Sequence, residues 1–298
     1  AEGRLRIVDV WEGERYAWAP RGWEQVVFHH DGKRVADGRS MTLELRENVA
    51  GAVTFDGFGL RLHDPATGEV SFDYDSQGLV DAGVLPPGTE TKRDPWHANW
   101  MDWQDGPAGP EVYVSLCFSR QILAIGEPRG DLRWQLGAGL GWTVVDADGA
   151  ALGDEALPQC QHGLEVEGDR LLVYDNAQDR DGSSVSEWRI DPATRTATRL
   201  WLWEEPGWQL DYLGDVDALP GGRVLVTQAT TFGPAQIVEV DRASGRVASR
   251  LSFDDRGYTY RAERIDGCDL FTSVSACPST RERFDRVAAL LGRPVTGR

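Results

Sequence analysis

The sequence predicts an all-β fold: a β-propeller of five or six blades with one short helix near its C-terminus. Three observations lead there. Apolar and polar residues alternate with period two over stretches of five to seven residues cut by Gly or Asp turns, the mark of many short antiparallel strands. Only ERFDRVAALLG, within the tail 279–298, spaces its apolar residues for a helix. One hairpin also recurs along the chain, and a repeat of that kind governs the architecture.

The hairpin is clearest in RLHDPATGEVSFDY from Arg61, and returns as AIGEPRGDLRWQL from Ala124, RIDPATRTATRLWLW from Arg189 and EVDRASGRVASRL from Glu239. Its acidic turn residues, Asp64, Glu127, Asp191 and Asp241, are 63, 64 and 50 positions apart. VVFHHDGKRVADG from Val26 reads as a degenerate copy. A second hairpin precedes the main one, seen best in GDRLLVYDN from Gly168 and GGRVLVTQA from Gly221. Two hairpins make the four strands of a propeller blade. Because YRAERIDGCDLFTSV from Tyr260 supplies only two strands, the two chain ends are expected to complete one sheet, making residues 1–298 a single domain.

The first strand of each blade lines the central channel, so the residues opening those strands converge on one axis. The openings are SMTLELR (Ser40), HANWMDW (His97), QHGLEVEG (Gln161), GDVDALP (Gly214) and YRAERI (Tyr260). His97 and His162 fall at matching positions and form the candidate site. His29, His30 and His63 lie in turn contexts and are expected at the surface.

Composition narrows the partners. Thirty-one basic and 48 acidic side chains leave a net charge of −17, which disfavours nucleic acid and anionic membranes as partners. No apolar run approaches the length of a membrane span. The chain opens AEGRL without Met or an apolar leader, so any secretory signal is expected to have been removed or left out. The four cysteines, Cys117, Cys160, Cys268 and Cys277, have no metal-site spacing, and no metal is expected. Cys268 and Cys277 are close enough to clip the tail in an oxidising compartment; four free thiols are the other reading. Cys160, just ahead of the Gln161–His162 pair, is expected near the site.

DPWHANWMDW followed by VSLCFSRQILAI, then QHGLEVEGDRLLVYDNAQDRDG, SEWRIDPATRTATRLWLW and the closing YRAERI, resembles the bacterial arylsulfate sulfotransferases. The match runs in order from about Ser40 to Ile265, on H-x-N, Q-H with a downstream D-N, and Y-R-A. The resemblance implies six blades, a periplasmic or secreted location and cofactor-free transfer of a sulfuryl group from an aryl sulfate to a phenol. His162 would be the nucleophile carrying the group as sulfohistidine. A neutral imidazole is competent for this, and a covalent intermediate divides the transfer into two easier steps. His97 and Asn99, which match H-x-N, would donate hydrogen bonds to the sulfuryl oxygens.

Two departures accompany the resemblance. The family carries another His in its first channel strand, where this chain is aligned at Ser40 and Met41. It also carries an Arg where this chain has Cys117 or Phe118. Arg120, two residues beyond Phe118, Arg180 in the DNAQDRDG loop and Arg261 are the candidate replacements for holding the anion. Trp96, Trp100 and Trp103 could wall an aryl substrate or simply pack between blades. The Asp175–Asp181 loop lacks a full calcium ligand set and reads as a solvated turn. Loss of catalysis with retention of the fold, leaving a binding or assembly module, is the alternative function. Oligomeric state is not legible.

Overall fold

The computed structural model describes residues 6–8, 15–17, 27–35, 37–64, 67–106, 109–177, 182–209, 212–228, 235–253 and 261–262, with side chains from His30 onward except Arg34. Contacts divide the chain into two units. One joins Ala1–Pro20 with Glu263–Arg298; of it only the antiparallel ribbon β1 (Arg6–Val8) and β2 (Arg15–Ala17) is described. The expected C-terminal helix, Cys268 and Cys277 lie outside the described residues, as does Arg180.

Among the described residues, the second unit, Arg21–Ala262, contains four sheets. The first is β3 (Val27–Arg34), β4 (Ser40–Ala50), β5 (Val53–His63) and β6 (Val70–Asp75). After the one-turn helix α1 (Gln77–Asp81) comes the second: β7 (Ala98–Gly106), β8 (Gly109–Leu116), β9 (Gln121–Gly126) and β10 (Asp131–Gly137). The third begins with an outer-edge strand, β11 (Thr143–Asp146), and continues with β12 (Gln161–Glu167), β13 (Arg170–Asp175), β14 (Ser184–Asp191) and β15 (Thr196–Glu204). The fourth is β16 (Asp215–Leu219), β17 (Arg223–Gln228), β18 (Ala235–Asp241) and β19 (Arg246–Phe253). Apart from β11, which pairs in parallel with β15, each sheet is an antiparallel meander, and the first strands β3, β7, β12 and β16 neighbour one another in sequence order. This is the blade arrangement of a β-propeller.

The four copies of the recurring hairpin are β5–β6, β9–β10, β14–β15 and β18–β19, the outer pair of each blade. Asp64, Asp191 and Asp241 hold their turns by accepting backbone N–H bonds from Thr67, Thr194 and Ser244. Glu127 differs: it accepts from Arg39 and from the Trp103 indole, tying the second blade to the first.

Alternation along the strands explains how both faces of a blade are buried. On β8, Val112 and Val114 pack toward the first blade while Tyr113 packs toward the third; on β9, Leu123 and Ile125 oppose Ile122 and Ala124 in the same way. Trp188 and Trp203 serve the next two interfaces. Most of the tryptophan excess is therefore inter-blade packing.

Polar groups join the inner strands. Asp31 on β3 accepts the Met101 N–H of β7 at 3.4 Å, Asp102 on β7 accepts the Val166 N–H of β12 at 2.7 Å, and Glu165 on β12 accepts the Ala218 N–H of β16. Lys33 on β3 also reaches Asp102 at 2.8 Å. Burial pulls the Lys33 ammonium down, but Asp102 and Asp31 outweigh it and its pKa lies above the usual value.

The first blade departs from the sequence reading. SMTLELR is its second strand, β4; its first is β3, which contains the His29–His30–Asp31 run of the degenerate hairpin copy from Val26. Met41 is a fully buried core residue, paired with Lys33 and Leu62, and is not at a channel opening. His63 is buried at the end of β5 rather than at the surface, and burial lowers its pKa to about 4. Helix α1 was not anticipated, because a single turn is too short to display helical periodicity.

Met41→His is therefore expected to destabilise the chain by roughly 2–4 kcal/mol, through lost apolar contact and an imidazole buried without a designed partner. Urea unfolding of the variant measures this; stability equal to the unmutated protein would contradict the placement of Met41 in the core.

Candidate functional site

His30, His97 and His162 line one cavity of about 360 Å³ together with Cys117, Phe118, Tyr212 and Leu213. Each imidazole sits at an irregularity of an inner strand. His30 has φ +61° where the β3–β4 register breaks between Phe28 and Gly32; His97 has φ +52° just ahead of β7, whose pairing shifts between Ala98 and Trp100. His162 stands in the register shift between Gln161 and Gly163 on β12. Such bulges re-aim side chains, and left-handed backbone at a non-glycine residue costs of order 1–3 kcal/mol that the surroundings must offset. Gly163 lets β12 approach β16 closely, since a Cβ there would lie 2.8 Å from the Val216 nitrogen.

His97 is fixed from several sides. Its backbone N–H donates to Asp94 Oδ1 at 2.8 Å, and its Nδ1–H donates to Asp94 Oδ2 at 2.5 Å. The carboxylate orients the ring through Nδ1. The ring stacks on Phe118 at 4.5 Å and meets His30 edge-on at 4.8 Å.

His162 is 3% exposed. Burial pushes its pKa down to about 4 and the nearby His97 adds to this, while hydrogen bonding with the Asn176 side chain and the Cys160 backbone opposes it. The imidazole is therefore neutral at pH 7 and keeps a lone pair. Asp175 shapes the approach to His162 by accepting the N–H groups of Gln159, Cys160 and Ala177 at 3.0, 2.9 and 3.0 Å. Asn176 donates its backbone N–H to Cys160 O and its side-chain amide to Leu213 O. The downstream Asp-Asn pair of the Q-H motif thus positions the segment that carries His162. Asp175 is buried rather than part of a solvated turn.

Cys117 and Cys160 are joined by a disulfide between the turn after β8 and the lead-in to β12. Cys160 is beside the site as expected, its sulfur 4.0 Å from His162 Nδ1. The pairing expected for Cys268 and Cys277 falls outside the described residues.

The remaining candidates are placed as follows. Asn99 is fully buried; its amide donates to Gln161 O at 2.8 Å and accepts from Ser115 at 2.7 Å, so it holds β12 against β7 and does not line the cavity. Arg120 borders a separate crevice with Gln161 and Leu157. Arg261 pairs with Asp31 and lies over the Trp100 ring at 4.4 Å. Trp96 and Trp100 are buried, donating their indole N–H groups to Pro86 O and Leu164 O. The aromatic lining is Phe118 and Tyr212 instead, both about half exposed.

Sequence reading missed His30, Asp94 and Tyr212. A signal for His30 was present: the hairpin beginning at Arg61 is the outer pair of a four-stranded blade, and SMTLELR fills only one of the two strands required before it.

No protein-family model matches this sequence. No curated protein matches it either. Among solved structures the chain is similar to a Bacteroides caccae protein of unknown function, at 14% identity over 80% of this chain and 70% of that one, with a TM-score of 0.46. It is also similar to a putative 6-phosphogluconolactonase from Bacteroides uniformis, at 10% identity over 84% and 65% of the two chains and a TM-score of 0.43. A third is the periplasmic gluconolactonase of Pseudomonas aeruginosa, at 14% identity over 84% and 76%, with a TM-score of 0.39. The class defined by the sheets themselves is a β-propeller whose inner strands present three histidines to one cavity.

The depressed pKa of His162 links to stability with a definite sign. Its folded value of about 4 lies below the 6.5 of an unperturbed imidazole, so the unfolded chain binds more protons between these values. Its contribution is complete above about pH 6.5 and falls as pH is lowered toward 4, by on the order of 3 kcal/mol in all. Denaturation at pH 7, 5.5 and 4.5, with His162→Gln showing a shallower fall, measures this. An NMR titration placing His162 near 6.5 would contradict it.

Proposed function

We propose that the cavity is an active site for transfer of a sulfuryl group from an aryl sulfate to a phenolic acceptor, with His162 as the nucleophile. The observation that carries this reading is the convergence of His30, His97 and His162 on one cavity beside Phe118 and Tyr212. His30 occupies an inner strand of the first blade, where the family resemblance calls for a further imidazole, and this removes the difficulty that Met41 posed. Sulfuryl transfer of this kind needs no cofactor.

In the first half-reaction the lone pair of neutral His162 attacks sulfur, an N–S bond forms and the S–O bond to the aryl group breaks. The departing phenolate takes a proton from His97 Nε2, which Asp94 orients through Nδ1. His30, edge-on to His97, is placed to donate to a sulfuryl oxygen as charge shifts. Phe118 and Tyr212 offer apolar faces to the aryl ring. In the second half-reaction the acceptor phenol returns a proton to His97, its oxygen attacks sulfur and the N–S bond breaks, restoring His162.

The disulfide beside the site suits an oxidising compartment, and on that basis we place the protein in the periplasm or outside the cell. Among the described residues no helix is long and apolar enough to cross a membrane.

One observation favours a second reading, a non-catalytic binding module: no guanidinium is among the described residues lining the cavity. On the enzyme reading the anion is held by hydrogen bonds from the imidazoles.

Mixing the protein with an aryl sulfate and no acceptor separates the two. The enzyme reading expects one phenol released per chain in a burst and a mass gain of about 80 Da, as for a covalent sulfuryl adduct. His162→Ala abolishes both, whereas His97→Ala and His30→Ala slow the burst by on the order of a hundred-fold or more while the adduct still forms. Absence of burst and adduct across several aryl sulfates would reject the transferase in favour of the binding module.

A further inference from the structure

Beside the cavity the sulfurs of Cys117 and Cys160 and an imidazole nitrogen of His162 lie within 4.8 Å of one another, and all three residues are buried. In the disulfide form the two sulfurs are neutral and bonded to each other, and offer no thiolate. Reduction changes the chemistry of this cluster without requiring its residues to move far, because other bonds hold each one in place. The Cys117 N–H donates to His97 O at 3.1 Å, and its carbonyl accepts from the Arg120 N–H at 3.0 Å. The Cys160 N–H donates to Asp175 Oδ1 at 2.9 Å, and its carbonyl accepts from the Asn176 N–H at 3.0 Å. His162 is held within β12 and by Asn176.

We propose that the dithiol form of this chain binds one soft divalent cation of the zinc type through Cys117, Cys160 and His162, with the fourth coordination position open to the cavity. Two thiolates and an imidazole are a ligand set that favours such an ion over magnesium or calcium. Tetrahedral zinc, with bonds of about 2.3 Å to sulfur and about 2.0 Å to nitrogen, needs its sulfur and nitrogen ligands about 3.5 Å apart. The Cys160 sulfur is already 4.0 Å from His162 Nδ1. Side-chain rotations that separate the two sulfurs after reduction complete the fit. Three protein ligands leave the fourth position for water or a small ligand on the cavity side, where His30 and Phe118 also lie.

The chemistry balances with a dithiol as reductant. It delivers two electrons to the Cys117–Cys160 bond, which breaks to two thiols, and leaves as its own cyclic disulfide. The cation then displaces the two thiol protons to solvent as the metal–sulfur bonds form. The proposal concerns binding alone and does not rest on sulfuryl transfer by His162.

Cobalt(II) is the probe, since its thiolate complexes absorb by charge transfer and its d–d bands report tetrahedral geometry. The full chain is reduced with a dithiol, freed of it by gel filtration under argon, checked for free thiols and titrated with cobalt(II). The reduced protein is expected to bind one equivalent with both spectral signatures, and zinc to displace it; the oxidised protein gives neither. The signatures persist in Cys268→Ser/Cys277→Ser and vanish in Cys117→Ser/Cys160→Ser. His162→Gln keeps a charge-transfer band but weakens binding by on the order of a hundred-fold. The proposal is overturned if the reduced chain retains its strand circular dichroism and free thiols yet shows no charge-transfer band. It is equally overturned if the band survives in Cys117→Ser/Cys160→Ser, or if reduction abolishes the strand signal so that no ligand cluster persists.

Discussion

A carboxylate on each of three successive inner strands accepts a backbone N–H from the next: Asp31 to Met101, Asp102 to Val166 and Glu165 to Ala218. The first strand of a blade has no sheet partner on its inner side, and buried N–H groups there would be costly if left unmade. Charge-assisted bonds of this kind contribute roughly 1.5–3 kcal/mol each when both partners are satisfied. They also set the axial position of one blade against the next, which apolar packing alone leaves free to slide. Lys33 and Arg261 offset the negative charge that this arrangement gathers, through Asp102 and Asp31 respectively.

With the inner strands held in register along their length, their opening residues are held at one level. That is the condition under which three histidines from three blades can share a cavity. The bonds of Asn99 to Gln161 and Ser115 extend the same locking to the mouth itself, one residue before His162. The irregularities at His30 and His162, and the one that opens β7 next to His97, can then turn the imidazoles toward the cavity without loosening the blades. Rigidity below the mouth and irregularity at it are complementary features of a preorganised site.

The mouth sets two imidazoles in different surroundings. His162 is kept neutral by burial, whereas His97 is held through Nδ1 by the Asp94 carboxylate. The Cys117–Cys160 disulfide joins the turn bearing Phe118 to the segment bearing His162, so the aromatic lining and the buried imidazole are tied covalently. Hydrogen bonds brace the same two segments independently: the Asp175 carboxylate accepts the Cys160 N–H, the His97 carbonyl accepts the Cys117 N–H, and the Asn176 N–H donates to the Cys160 carbonyl.

The all-β class, the four outer hairpins and the inner strands β7, β12 and β16 were determined by the sequence alone. Alternation and turn chemistry are local properties, and a repeat exposes them four times over. His97, His162 and the nearness of Cys160 to them were legible for the same reason, being strand openings in matching positions. The tertiary structure decided what depends on counting strands around a ring. It placed β3 ahead of β4 and brought His30 to the cavity while sending Met41 to the core. It also decided pairings between distant residues of like type: Cys117 with Cys160, Asp31 with Arg261, and Asn99 with Gln161 rather than with the cavity. Residue type and spacing state what a side chain can bond to; which partner it meets is set by blade-to-blade contact, where distance along the chain carries no information.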